Sequence, residues 1–152
     1  MSDPIVYSDR SARHQLPLLF AGQAQKEIFV NEAFLAIDAL SHPVLSGEGQ
    51  APPTSPAAGE TWFVMESALG EWGGHDGELA YWTGDRWLFS TPPKGMIAFD
   101  EAKDAYRFCG QTSSFASTPA EPTGGPVIDA EARATIVALM QELRKIGILS
   151  VE

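Results

Sequence analysis

The clearest periodic signal lies between Leu16 and Leu40. Val30, Ala33, Phe34, Ile37 and Leu40 follow the i, i+3, i+4, i+7 spacing of a helix that buries one face, so most of this stretch is predicted to be helical. Ahead of the stripe and beside it stand Gln23, Gln25, Lys26, Asn31 and Glu32. Amides and a Lys–Glu pair so close to an apolar stripe can bond main-chain groups of a neighbouring segment. These five residues are therefore expected to brace either the chain's own sheet or another subunit.

The period then shortens. Glu60–Met65 is rich in strand formers, and Glu78–Trp82 and Arg86–Ser90 flank the tight loop Thr83–Gly84–Asp85. Met96–Asp100 and Ala105–Phe108 flank a second loop, Glu101–Asp104. Even spacing with polar turns predicts a small antiparallel β meander or open barrel. Residues 41–59 hold four prolines and three glycines and read as a wrapping loop.

A last helix is predicted after Asp129, its N-cap, with Glu131 in the first turn, Arg144 and Lys145 in the last, and Gly147 as the stop. Ala132, Ile136, Leu139, Leu143 and Ile146 step 4, 3, 4, 3, the spacing of a narrow coiled-coil seam. Two heptads are too short to hold alone in water. Packing on its own domain and forming a subunit seam are equal readings of that periodicity. The fold class is α+β. A polar arm spans residues 1–15 and needs a neighbour to order it. A helix-plus-sheet domain spans 16–109, a Pro/Gly-rich linker 110–128, and the C-terminal helix 129–152.

The net charge of −10 changes the functional picture. It argues against nucleic acid and anionic membrane as partners, since both require clustered Lys and Arg. No apolar run is long enough to span a bilayer, and no secretion signal is visible at the N-terminus. The chain is expected to be made in the cytoplasm. The single Cys109 reads as a small buried hydrophobe.

Candidate chemistry is sparse. His14, His42 and His75 sit in no catalytic motif, and no phosphate loop or nucleophile elbow is present. No enzyme activity, no cofactor and no metal is expected. A metal gathered by His75 and Asp76 with Glu71 or Glu78 is a weaker alternative than a turn that bonds its own backbone. Sugar binding has more to offer. Trp72, Tyr81, Trp82 and Trp87 lie close in sequence, with His75, Asp76 and Asp85 in adjoining turns. Trp82 and Trp87 can face one another across a hairpin, with Tyr81 on the opposite side. Trp72, between glycines, is the aromatic expected to be exposed. Against this stands the use of tryptophans as core in small β domains.

The run Leu16-Pro17-Leu18-Leu19, then Gly22–Glu27, Asn31-Glu32-Ala33, Leu35 and Asp38-Ala39-Leu40 resembles the opening signature of domain-of-unknown-function family 2793. Pro52-Pro53, Pro56–Glu60, Gly70–Gly74, Gly77–Ala80, Trp82 and Trp87 continue the resemblance in order, over roughly residues 16–108. Phe29-Val30 stands where the family often has Thr-His. The family occurs in tail-fibre-like proteins of phages, prophages and gene transfer agents. The resemblance implies a structural virion component, a tail-fibre or baseplate-associated subunit that serves host attachment. It also implies a homotrimer, with other tail or baseplate proteins as partners and host surface polysaccharide as a further one, and it tips the last helix towards a subunit seam. Alternatives are a carbohydrate-binding module for host glycan and a small cell-wall or glycan hydrolase.

Overall fold

The computed structural model describes residues 9–22, 24, 26–109, 114–116, 118–120, 129–145 and 147–149. Helix α1 spans Lys26–Leu40 and helix α2 spans Ala130–Lys145. Between them run β1 (Val44–Leu45), β2 (Gly47–Gly49), β3 (Thr61–Val64), β4 (Leu79–Trp82), β5 (Trp87–Ser90), β6 (Met96–Asp100), β7 (Ala105–Cys109) and β8 (Ser114–Phe115). They form two four-stranded sheets, β1-β6-β7-β8 and β2-β3-β4-β5, and no closed barrel forms among the described residues. The α+β class holds.

The supposed wrapping loop is more regular than its prolines suggest. Its segments Val44–Leu45 and Gly47–Gly49 add parallel edge strands to β6 and β3, one to each sheet. The linker likewise yields β8, antiparallel to β7 with Phe115 opposite Arg107. Residues 110–113, 117 and 121–128 of the linker lie outside the described residues.

The core has two parts. Leu45, Phe63, Leu79, Ala98 and Cys109 draw from both sheets, with Leu40 of α1 and Met96 packed on them. The second part lies on the other face of the β3–β5 sheet, where Val64, Trp72, Ala80 and Trp87 are joined by Trp62, Ala68, Trp82 and Phe89. The period-2 alternation of β4 makes this division: Leu79 and Tyr81 face one way, Ala80 and Trp82 the other.

Helix α1 runs against the expected pattern. Phe29 is 76% exposed, Ile28 and Ile37 51%, and Val30 36%. Phe34, Leu35 and Leu40 are half-buried, and only Asp38 and Ala39 are fully buried. Its inner line carries Glu27, Asn31 and Asp38. Directional bonds to the preceding segment take the place of apolar burial. That segment is a turn in which the Leu18 N–H donates to the Asp9 carbonyl and the Ser11 N–H to the Leu16 carbonyl. So the end of the expected arm is bonded to the chain's own helix, through Ser11, Arg13 and His14; residues 1–8 lie outside the described ones.

Helix α2 begins as the sequence predicts. Asp129 Oδ1 accepts from the Ala132 N–H at 2.9 Å, and Arg144 and Lys145 close the last turn. Gly147 follows at φ 73°, where an added Cβ would come within 3.1 Å of Phe99, so both conformation and space call for glycine.

Candidate functional site

Asp38 is the most heavily engaged side chain of α1. Its Oδ1 accepts from the Ser11 hydroxyl at 2.7 Å and the His14 N–H at 2.6 Å, with the His14 ring Nδ1 at 3.0 Å. Its Oδ2 accepts from the Arg13 N–H at 2.9 Å and from the Tyr81 hydroxyl at 2.8 Å. Burial, the largest influence, pushes the carboxyl's pKa up. The bonds from Arg13, Ser11, His14 and Tyr81 together outweigh it and hold the value at about 2, below the ordinary 3.8. The same pairing, with burial first, drives the Tyr81 hydroxyl well above its ordinary value. The Arg13 guanidinium meanwhile caps the end of α1, donating to the carbonyls of Asp38, Ala39 and His42.

This cluster holds a serine, a histidine and an aspartate, yet not as a nucleophilic triad. Ser11 gives its proton to Asp38 rather than to His14, accepts from the Leu16 N–H, and is 1% exposed. A nucleophile must face its base and be reachable. The cluster's work is to fasten the first turn, α1 and β4 together. Sequence reasoning missed it, although Glu27, Asn31 and Asp38 at spacing 4 and 7 do form a polar line on the helix.

The braces expected near the start of α1 resolve in part. Asn31 clasps the Leu19 backbone, donating to its carbonyl at 3.0 Å and accepting from its N–H at 2.8 Å. Glu32 pairs with Arg86 in the β4–β5 loop at 3.0 Å. Both act within the chain. Lys26 is exposed, and Gln23 and Gln25 lie outside the described residues.

The seven glycan-contact candidates do not share a surface. Trp72, expected outside, is fully buried. The Gly70–Trp72 3₁₀ turn folds its indole back over the sheet, 6.3 Å from Trp62 and 5.3 Å from Trp87. Trp87 is 9% exposed and packs 5.0 Å from Trp82, its cross-strand neighbour. Tyr81 points to the opposite side, towards Asp38. His75 stacks on Phe89 at 3.5 Å and lies 2.7 Å from Glu78 Oε2. Asp76 accepts from the N–H groups of Ser67 and Ala68, and Asp85 accepts from the Thr83 hydroxyl. Among the described residues, no three His, Cys, Asp or Glu side chains gather as a metal site would require.

A cleft of roughly 890 Å³ opens instead beside β2, β3 and β7. Glu48, Gln50, Met65, Glu66, Asp76 and Arg107 line it, among others. Arg107, at 2% exposure, is gripped by Asp100 at 3.0 Å and Glu48 at 2.6 Å, and its guanidinium packs on the rings of Phe63 and Phe115. It rigidifies the floor of the cleft. Burial raises the pKa of the Cys109 thiol nearby, which suits a packing role.

Apolar surface is the other notable feature. Besides α1, it includes Ile136 and Leu139 of α2 at 46% and 59% exposure. The predicted seam is thus turned outward at its middle, with Leu143 half-buried and Ile146 outside the described residues. Met140, off the seam, is the buried residue of α2. Ile97 and Phe108, cross-strand partners, form a third exposed pair.

A sequence profile described as "Protein of unknown function (DUF2793)" matches residues 30–114, more than half of the chain. The chain belongs to this family. Neither a search of curated proteins nor one of solved structures returns a match. The DUF2793 match takes in most of α1, both sheets and the cleft. Phe29, the first turn and α2 lie outside it. No helix among the described residues is long and apolar enough to cross a membrane.

Proposed function

We propose that this chain is a structural subunit of a phage-like or gene-transfer-agent-like particle, placed at a tail fibre or baseplate and serving host attachment. The observation that carries the assembly part is the outward apolar surface of both helices, in a chain of net charge −10. Acidic chains repel one another and solvate well; contiguous exposed apolar residues on such a chain mark contact surfaces. The particle itself is suggested by the resemblance of the Gly22–Glu27 and Asn31–Ala33 motifs to tail-fibre-like members. Partners on this reading are further copies of the chain and other tail or baseplate proteins. A trimer through Ile136, Leu139, Leu143 and Ile146 is one such arrangement.

The test is to purify particles from a strain carrying the gene and from its deletion mutant. The protein is expected among particle components by mass spectrometry, and the deletion is expected to lower attachment to host cells. Particles lacking the protein in the parent strain refute the reading.

A glycan-binding reading has one observation in its favour, the cleft beside Arg107. Its carboxylates and Gln50 offer acceptors and donors for hydroxyl groups, and Met65 an apolar edge. On this reading the sugar sits there and not on the tryptophans. Glycan-array binding that is lost in Glu66→Ala checks it.

A further inference from the structure

The outward face of α1 has a shape of its own. Phe29, Val30, Ala33, Ala36 and Ile37 line it, with Lys26 at its start, while Leu40 turns to the core. Lys26, Phe29, Val30, Ala33, Ala36 and Ile37 are all exposed. No carboxylate stands on this stripe. Glu27 and Asp38 are on the opposite side, bonded to the Gly22 N–H and to the first turn, and Glu32 is tied to Arg86. The stripe also reads alike from either end. Large residues at 29 and 37 lie four positions from Ala33, and positions 30 and 36 lie three away. Two such helices laid antiparallel would set Ala33 against its own copy on the two-fold axis. Phe29 would meet Ile37 and Val30 would meet Ala36, with the Lys26 ammonium in water at the rim.

We propose that α1 is a self-association surface, and that its occupant is the α1 of a second copy, packed antiparallel about Ala33. The proposal refines the assembly part of the function above by naming the partner and the face, and it rests on that part. Two arguments select a copy over another protein. A self-complementary stripe centred on a small residue is what an isologous contact needs, and small residues let backbones approach closely. In a chain of net charge −10, a second copy is repelled least where the contact carries no carboxylate. A contact through one helix face is small beside the roughly 1,200 Å² of small specific interfaces, so association is measured at high micromolar protein.

The experiment is light scattering on the full chain, with far-UV circular dichroism as a fold check. The wild type is expected to have the mass of a dimer, and Phe29→Asp that of a monomer with an unchanged spectrum. Position 29 is so exposed that folding should tolerate the change. An independent arm uses Ala33→Cys, expected to form a disulfide-linked dimer on mild oxidation, with Ala51→Cys as the exposed control. A monomeric wild type overturns the proposal. So does an oligomer that survives Phe29→Asp or disperses only when the chain is cut before α2. The same holds if the Ala33→Cys variant cross-links no faster than the Ala51→Cys control. A monomer found in purified particles sinks the α1 contact but leaves the particle reading standing. A dimer absent from particles does the reverse.

Discussion

Replacing Asp38 by Asn tests the junction on which the position of α1 depends. The substitution keeps the shape and removes one acceptor. Five donors converge on the carboxylate: the Ser11 and Tyr81 hydroxyls, the N–H groups of Arg13 and His14, and the His14 ring. The carboxamide nitrogen accepts nothing, so whichever way it turns it confronts at least one part-buried N–H, of Arg13 or His14. An orphaned buried donor costs about 1–3 kcal/mol and the lost charge-assisted bonds add to it, so the expected loss at pH 7 is roughly 3–5 kcal/mol. The pH dependence supplies a second handle. The folded-state pKa is about 2 and the ordinary one is 3.8. A depressed carboxylate stabilises fully above the unfolded value and loses that contribution as pH falls through the folded one. The wild type should therefore shed roughly 2.5 kcal/mol from this group in all between about pH 5 and pH 1, of which about 1.6 kcal/mol is gone by about pH 2.5. Asp38→Asn has no such group to lose. Other acidic residues titrate in both proteins and cancel in the difference. Urea unfolding followed by tryptophan fluorescence, at pH 7 and stepwise down to about pH 2.5, gives both quantities. A deficit under about 1 kcal/mol at pH 7, or one that stays constant down the whole acid series, would refute the reasoning.

Two other substitutions probe the β block by the same assay. Trp72 has no hydrogen-bond partner for its buried Nε1 among the described residues. Trp72→Phe should cost no more than about 1 kcal/mol, because relief of the unpaired N–H offsets lost area, while Trp72→Ala should cost about 3–5 kcal/mol; a Trp72→Phe loss above about 2 kcal/mol would show that the indole N–H is satisfied. Arg107→Met should cost about 3–5 kcal/mol, since it leaves Asp100 buried at 1% exposure without its cation, and adding Asp100→Asn should restore a good part. A double variant no more stable than the single one contradicts that account.

The local elements were legible because short-range chemistry specifies them. The Thr83–Asp85 loop fixes the β4–β5 register, which sets Trp82 against Trp87 and turns Tyr81 away. Asp129 and Gly147 bound α2 at the places their side-chain chemistry requires. What could not be read was long-range. Val44–Leu45 and Gly47–Gly49 are strands only because β6 and β3 offer them free edges, and nothing in two or three residues announces a parallel partner. Trp72 looked exposed from its glycine neighbours, but those glycines are what let the chain fold its ring inward. In β7 the alternation is present with its polarity inverted: Arg107 faces in and Tyr106 and Phe108 face out. A pattern reader assigns such a strand the right period and the wrong side. Only the distant carboxylates of Glu48 and Asp100 make the inward arginine tolerable.

Helix α1 shows the same inversion on a larger scale, and the two have a common logic. Apolar periodicity states which residues share a face; it does not state which face the fold covers. In α1 the question is decided by polar groups that can be satisfied in one orientation only. Asp38 needs the Ser11–His14 turn and Tyr81, and Asn31 needs both backbone groups of Leu19. Turning the helix to bury Phe29 and Ile37 would gain about 1.5–3 kcal/mol for each large side chain. It would also leave a carboxylate and several main-chain groups without these partners, at a comparable or greater cost per group. Directional bonds therefore set the rotation of the helix. The apolar stripe is left outward as their consequence, a surface without negative charge that the proposed second copy would cover.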